Sequence, residues 1–122
     1  RLGQKMNKKI VELGGKKKNI YVAIGPSIGE CCYDIEDDRY YQFVEEFDGY
    51  SKKIFHRHQG KLHLNLSLLN YLQIKEIGIP EKNIDYFPFC TRCDKKRFFS
   101  FRRDKKEDYG EMMSFVVKGR TF

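Results

Sequence analysis

The chain has 122 residues, which is enough for one compact domain with a small hydrophobic core. Apolar residues make up 40% of the chain and aromatic residues 15%, a composition that excludes intrinsic disorder over most of its length. No uncharged apolar run approaches the roughly 20 residues that a bilayer requires, so the sequence excludes a membrane span. The 24 Lys and Arg residues against 17 Asp and Glu residues give a net charge of +7.

The positive charge lies in short, separate clusters that alternate with acidic runs, as at residues 16–18 and 36–38. A surface that follows a phosphate backbone needs its cations gathered on one face, which this linear pattern does not show. We therefore interpret the basic clusters as solvated surface, and nucleic acid is not an expected partner. A basic nucleic-acid-binding module is kept as the alternative class, for which binding should weaken steeply with salt.

Hydrophobic periodicity predicts a helix and then a buried strand at the start of the chain. Residues 2–13 carry apolar side chains at helical spacing, and the glycines at 14 and 15 end that helix. Residues 20–24 form a nearly continuous apolar run, which indicates an internal strand of a helix-covered sheet. The apolar positions of the helix are Leu2, Met6, Ile10 and Leu13.

A glycine-rich loop and a second helix follow the strand. Two glycines and a proline within residues 25–29 indicate a loop with unusual backbone conformations. Residues 34–47 show helical spacing, with acidic residues in the first turn, where the helix dipole favours them. A helix, a tight turn and a buried strand in this order are typical of an α/β fold.

The clearest helix is predicted in the second half of the chain, at residues 64–77. It carries an apolar stripe and ends at Gly78, with Pro80 two residues beyond, a combination that stops helices. Shorter extended segments are predicted on either side of it, at residues 54–58, 83–89, 98–101 and 113–117.

Four cysteines fall in two pairs, Cys31-Cys32 and Cys90-x-x-Cys93. No export leader is evident, so a disulfide framework is not expected. Cys-x-x-Cys is half of a zinc ribbon, but adjacent cysteines such as Cys31 and Cys32 rarely both point at one metal ion. We therefore expect reduced, partly buried structural thiols rather than a four-cysteine zinc site.

Three histidines, His56, His58 and His63, lie close together in the sequence. Alternation along a strand would place His56 and His58 on one face, which suits a metal geometrically. No acid or cysteine lies at ligand spacing nearby, so we expect surface histidines. The Gly-Pro-Ser-Ile-Gly loop at 25–29 lacks the lysine and the spacing of a phosphate-binding loop.

The segment at residues 98–104, Phe-Phe-Ser-Phe-Arg-Arg-Asp, combines aromatic rings with two arginines and is the most informative candidate for a binding site. In a strand, Ser100 and Arg102 would face one way and Arg103 the other. An arginine beside aromatic rings could bind a phosphate or stack on a base. Alternatively, the phenylalanines pack in the core while one of the two arginines pairs with an internal carboxylate. The residues alone leave both alternatives open.

Several motifs together resemble one known family. Residues 22–33, VAIGPSIGECCY, are similar to the strand-and-loop signature of the YfiH family, also called the laccase-domain or polyphenol-oxidoreductase family. Further matches follow in the family's order and cover essentially the whole chain; they are GKLHLNL at 60–66, GIPEKNI at 78–84, CTRC at 90–93 and FFSFRRD at 98–104.

The resemblance implies an α/β fold of layered mixed sheets with covering helices, distantly like the catalytic domain of bacterial cytotoxic necrotizing toxins. It implies a cytoplasmic enzyme that cleaves purine nucleosides with phosphate, namely adenosine, inosine and methylthioadenosine, and that deaminates adenosine. Some members are linked instead to editing of peptidoglycan precursors. The implied metal is zinc, with copper the less favoured alternative.

The same resemblance implies that residues 1–122 are the C-terminal portion of one such domain. The family's three metal ligands belong to motifs that precede the matching region, so no metal ligand and no catalytic residue is assigned here. The portion is expected to supply scaffold and substrate-binding loops, with Ser27, Arg102 and Arg103 as candidate substrate contacts. Its expected partners are a purine nucleoside, phosphate, and the missing N-terminal half or a second copy.

Two positions depart from the family's usual pattern. Asn65 replaces a common Asp, and Tyr-Gly-Glu-Met at 109–112 replaces the usual Thr-Gly-Arg-Met. A third function class, beside the enzyme portion and the nucleic-acid module, is a zinc-stabilised interaction domain built on Cys90 and Cys93. A chelator should unfold such a domain, because structural metal binding and folding are coupled.

Overall fold

Helices and strands alternate along the chain, which confirms the α/β prediction. A computed structural model describes residues 1–119. The three long helices, at Leu2–Glu12, Asp37–Phe47 and Leu66–Glu76, lie on the segments with helical spacing. In chain order the elements are α1 (Leu2–Glu12), β1 (Val22–Ile24), β2 (Asp34–Ile35), α2 (Asp37–Phe47), α3 (Ser51–Ile54), β3 (Phe55–His58), β4 (Lys61–Leu64), α4 (Leu66–Glu76) and β5 (Ile84–Tyr86).

The strands form two small sheets of different type. In the first, β1 and β5 run parallel, with Val22 opposite Ile84 and Ile24 opposite Tyr86. The prediction that β1 is an internal strand is wrong for residues 1–119, where β5 is its one partner. In the second sheet, β4 lies between β2 and β3 and is antiparallel to both.

A two-residue turn joins β3 to β4. Its central residues, Gln59 and Gly60, have φ values of 50° and 75°. Positive φ at both positions is the geometry of a type I′ hairpin turn, whose twist matches that of the flanking strands. The turn therefore fixes the register in which His58 pairs with Lys61 and His56 pairs with His63.

Helix α4 packs against both sheets, and the hydrophobic core lies on its two sides. Its N-terminus is capped by the Asn65 side chain, which accepts a hydrogen bond of 2.9 Å from the Leu68 N–H. The sequence predicts one apolar stripe, but the helix contributes buried residues to two clusters. These clusters are Ile20, Ile74, Ile79 and Ile84 on the β1/β5 side, and Ile54, Leu64 and Leu69 on the other.

Helix α1 lies against α4 with its less apolar face. The Gln4 side chain donates a hydrogen bond of 3.1 Å to the Gln73 carbonyl, and Asn7 is the buried residue of the helix. The predicted apolar stripe instead points away from the described core. Its exposed fractions are 72% for Leu2, 57% for Met6, 42% for Ile10 and 77% for Leu13.

Four details of the sequence-based prediction are corrected by the structure. Residues 98–101 are not a strand, because they lead into a hydrogen-bonded turn, and residues 113–117 form no strand and are exposed. Strands β2 and β4 were not predicted. With two and four residues, they are too short to show a period, and pairing defines them instead. Within residues 1–119, no helix has the length and apolarity needed to cross a bilayer.

We expect Gly78→Ala to destabilise the protein by about 1–2 kcal/mol, because the residue that ends α4 has φ +86°, where a Cβ is strained. Gly49→Ala is the matched control, since nothing lies within 4 Å of its added Cβ and its φ is ordinary. The control should be neutral or slightly stabilising. Urea unfolding of the full protein measures both, and equal effects would contradict the argument.

Candidate functional site

The candidate site lies where the loops after β1 and β5 meet. Because the two strands are parallel, both loops leave the sheet at the same edge. The pairing continues into the loops, where Ser27 bridges Cys90 and the Thr91 N–H donates a hydrogen bond of 3.0 Å to the Ser27 carbonyl. Segments about 60 residues apart in sequence are thereby held side by side.

A cleft of about 440 Å³ opens beside this junction. It brings together Ser27 and Arg102, two of the three predicted substrate contacts. The Ser27 hydroxyl lies 2.8 Å from the Ser67 hydroxyl in the first turn of α4, which fixes its orientation. The other lining residues are Pro26, Ile28, Thr91, Phe99, Ser100, Phe101, Tyr109, Gly110, Glu111 and Met112.

Arg102 keeps much of its hydrogen-bonding capacity available for a ligand. Its guanidinium lies over the Tyr33 ring, 5.1 Å from the centroid. Nη1 makes two long contacts of 3.5 Å, to the carboxylate and to the carbonyl of Asp34. The side chain is 41% exposed, and a guanidinium carries five N–H donors. Arg102 can therefore bind an anion at the rim of the cleft.

Arg103, the third predicted contact, is used inside the protein. Its Nη1 donates to the carbonyls of Thr91 and Arg92 at 2.7 and 2.8 Å, and its Nη2 donates to the Phe98 carbonyl at 2.7 Å. Its Nε donates to the Asp104 carboxylate at 2.8 Å. With these donors satisfied, Arg103 ties the loop after β5 to the next turn. Arg103 does not line the cleft that holds Ser27 and Arg102, and its contact with substrate stays a prediction.

Asp104 explains why residues 98–104 form a turn rather than the predicted strand. Its carboxylate accepts a hydrogen bond of 2.7 Å from the Ser100 N–H, and its own N–H donates to the Ser100 carbonyl, also at 2.7 Å. The Ser100 N–H and the Arg103 guanidinium together hold the pKa of Asp104 below its usual value. Both arginines contact a carboxylate, Arg103 closely at Asp104 and Arg102 at 3.5 Å from Asp34, but Phe99 and Phe101 are exposed and do not pack in the core.

The histidines lie together, but one of them is not at the surface. His56 and His58 are exposed, as predicted, whereas His63 on the central strand β4 is 7% exposed. The His56 and His58 rings lie 5.4 and 6.0 Å from the His63 ring, measured between centroids. His63 Nδ1 donates to the Glu30 carbonyl at 2.5 Å. The hydrogen bond from His63 fixes the loop before β2 to strand β4.

The four cysteines converge on one point, which corrects the prediction that Cys31 and Cys32 do not face a common centre. All four sulfurs lie within 4.8 Å of one another. The Cys93 sulfur is 3.7 Å from that of Cys31 and 3.4 Å from that of Cys32. The cysteines converge because the loop after β1 turns at Gly29, whose carbonyl accepts hydrogen bonds from the N–H groups of Cys32 and Tyr33.

The thiols of this cluster differ in acidity. Burial works against ionisation of Cys90, but hydrogen bonds to its sulfur from the Gly29 and Cys93 N–H groups outweigh it and lower its pKa to about 7. Burial and the hydrogen bonds to the other three thiols raise the pKa of Cys31 above its usual value. Near neutral pH the Cys90 thiol is therefore partly ionised.

Sequence reasoning missed the wall of the cleft formed by residues 109–112. Tyr109, Glu111 and Met112 line it opposite the Ser27 loop. Periodicity could not find them, because these residues have no regular secondary structure. The signal that could have done so is the departure from the family's usual Thr-Gly-Arg-Met at the same four positions.

Fold and cleft together define an α/β protein whose candidate binding site lies beyond the carboxyl ends of parallel strands. The sequence profile of the family described as multi-copper polyphenol oxidoreductase laccase matches residues 1–118. The chain belongs to this family, and the predicted resemblance is confirmed.

Several characterised proteins are similar in sequence. The chain is 37% identical over 100 residues to "Purine nucleoside phosphorylase YlmD" of Geobacillus stearothermophilus, covering 80% of this chain and 36% of that protein. It is 32% identical over 117 residues to the YlmD phosphorylase of Bacillus subtilis, covering 94% and 41%. It is 28% identical to "Adenosine deaminase RL5" from an unknown prokaryote, covering 84% and 40%.

A solved structure agrees with the fold. The crystal structure of the hypothetical protein YfiH of Bacillus licheniformis superposes with a TM-score of 0.73 at 30% identity. The match covers 83% of this chain and 39% of that one. The chain thus spans less than half the length of the relatives it matches.

We expect Arg103→Ala to lower the free energy of unfolding by about 2–3 kcal/mol, because the loss leaves partly buried carbonyls and a carboxylate without their charged donor. Arg57→Ala is the matched control, since Arg57 makes a single exposed ion pair of 3.7 Å with Asp37. The control should cost less than about 1 kcal/mol. Urea unfolding of the full protein measures the difference.

Asp104→Asn should destabilise the protein at neutral pH but not in acid. A carboxyl whose folded pKa is lowered adds stability above its unfolded pKa of about 3.9, and loses it as the pH falls through the folded pKa. The gap in unfolding free energy between wild type and variant should therefore stay constant from about pH 7 to about pH 5 and narrow as the pH falls below about 4. A gap that also stays constant below about pH 4 would contradict the ionised Asp104 described here.

Proposed function

We propose that the chain is the C-terminal portion of a cytoplasmic purine nucleoside enzyme that cleaves adenosine, inosine or methylthioadenosine with phosphate and also deaminates adenosine. The proposal rests chiefly on one observation. Ser27 and Arg102 share a cleft in a chain that is 37% identical to a protein named a purine nucleoside phosphorylase. The similarity to a protein named an adenosine deaminase supports the second activity.

The cleft offers both kinds of contact that a nucleoside and a phosphate need. Phe101 is 79% exposed and packs edge-on against Tyr109, with 5.8 Å between the ring centroids. Such aromatic faces can stack on a purine base. Arg102 at the rim can bind phosphate, and the Ser27 hydroxyl can hydrogen-bond a ribose hydroxyl or a phosphate oxygen.

A catalytic zinc belongs to the proposal, but this chain does not supply its site. A catalytic zinc has three protein ligands and an open position, where it polarises substrate or activates water. In residues 1–119 the one group of three or more converging ligand side chains is the four cysteines, a closed set. The residues present therefore do not fit the catalytic group, which is expected on the upstream portion.

The upstream portion is also the proposed partner of this chain, with a second copy as the alternative. The apolar stripe of α1 is exposed, and β1 and β5 each have one partner strand within residues 1–119. An unpaired strand edge and an exposed apolar stripe are the surfaces on which a further strand and helix can pack. By this proposal the cleft is completed by residues upstream of Arg1.

Arg102→Ala in the full protein should lower kcat/KM for phosphorolysis at least about tenfold, mostly through a higher KM for phosphate, because a charged hydrogen bond to the anion is lost. Ser27→Ala should have a smaller effect of the same kind. Steady-state assays with adenosine and inosine at varied phosphate concentration measure both changes.

Arg57→Ala is the control, because it removes an exposed arginine that lines a neighbouring cleft and not the Ser27 cleft. It should leave the kinetic constants within about twofold of wild type. Unchanged kinetic constants for Arg102→Ala would contradict the proposal that this cleft binds phosphate. A full protein with no nucleoside turnover would overturn the proposal as a whole.

A further inference from the structure

We propose that Cys31, Cys32, Cys90 and Cys93 bind one zinc ion as four thiolates. This would be a structural site that clamps the loop after β1 to the loop after β5. It differs from the proposed catalytic zinc in its ligands, its place in the fold and its role. A set of four protein ligands leaves no open position for substrate, so it stabilises structure rather than performing chemistry.

The distances between the sulfurs fit such a site. Tetrahedral zinc with Zn–S bonds of about 2.3 Å separates its sulfur ligands by about 3.8 Å. The Cys93 sulfur lies 3.7 Å from that of Cys31 and 3.4 Å from that of Cys32, and all four lie within 4.8 Å. A disulfide would require about 2.05 Å, and the four thiols are free. The sulfurs therefore surround a point without bonding to each other.

Backbone N–H groups surround the Cys90 sulfur. The Gly29 N–H donates to the Cys90 sulfur at 3.2 Å, and the N–H groups of Arg92 and Cys93 also point to it. The Asp94 N–H closes the turn onto the Cys90 carbonyl at 3.0 Å. Backbone donors disperse the negative charge of a metal-bound sulfur, and they hold the Cys-x-x-Cys turn in one conformation.

Gly29 lets the two loops approach closely enough for the cluster to form. A Cβ at this position would lie 3.0 Å from the Cys90 Cβ and 3.3 Å from the Cys31 sulfur. These contacts are too close for any larger residue unless the cysteines move apart. The glycine at position 29 therefore allows the loop after β1 to approach Cys90 in the loop after β5.

Proton and charge balance are consistent with zinc. Binding would release the thiol protons of the four cysteines to solvent and form four Zn–S bonds. The four thiolates and the zinc ion carry a net charge of −2. Three basic residues lie next to Cys90 and Cys93 in the sequence, namely Arg92, Lys95 and Lys96, whereas Arg97 pairs with Asp94.

The test measures metal in the full protein, independently of nucleoside turnover. Zinc is counted per chain by elemental analysis in wild type, Cys31→Ser and Cys93→Ser. Each cysteine variant should lose about one zinc per chain. His56→Ala is the control, because His56 is exposed and outside the cluster, and it should keep the wild-type zinc content.

Cobalt substitution of the wild-type protein gives a second readout that does not require the variants to fold. Four thiolates around tetrahedral Co²⁺ should give intense thiolate-to-cobalt absorption in the near ultraviolet and tetrahedral bands in the red. Wild-type zinc content in folded cysteine variants would overturn the proposal. So would cobalt absorption with the intensity of one thiolate or fewer, or a native mass lower by the two hydrogens of a disulfide. The catalytic proposal survives each of these outcomes.

Discussion

The parallel pairing of β1 with β5 positions almost everything of functional interest in this chain. It sends two loops, about 60 residues apart in sequence, out of the same edge of one small sheet. The Ser27–Cys90 bridge extends that pairing, so the loops stay adjacent beyond the strands. The cleft and the cysteine cluster both form from these loops. Helix α4 keeps the pair in place, because one of its sides packs on Ile20 and Ile84 while its first turn holds the Ser27 hydroxyl through Ser67.

The three long helices and the strands β1, β3 and β5 were predictable from the sequence, whereas β2 and β4 were not. Helices α1, α2 and α4 were found because each spans three turns with a repeating apolar pattern. Strand β4 was missed because its four residues include no β-branched residue and no Phe, Tyr or Trp, and with it the burial of His63 was missed. The turn at residues 98–104 was mistaken for a strand because its aromatic residues favour strands, whereas Asp104 holds the backbone in a turn.

The candidate site shows the same division between local pattern and long-range contact. The sequence placed Ser27 and Arg102 in motifs that the fold brings to one cleft. It could not predict that Arg102 lines this cleft whereas Arg103 does not. The difference between the two arginines depends on the backbone carbonyls around each guanidinium. For Arg103 these include the Thr91 and Arg92 carbonyls, in the loop after β5. The cysteines were judged by the adjacency of Cys31 and Cys32, yet their convergence follows from the turn at Gly29 and the approach of Cys90.

The sequence separation between the two loops also sets the order of folding. The hairpin of β3 and β4 forms from residues a few positions apart, and α4 follows directly, so both can form early. The pairing of β1 with β5 must instead close a loop of some 60 residues, which costs chain entropy before any contact compensates for it. During synthesis on the ribosome, β1 has no partner strand within residues 1–119 until β5 has emerged. The candidate site is therefore the last part of these residues to form, and until then this edge of β1 is exposed to chaperones and proteases.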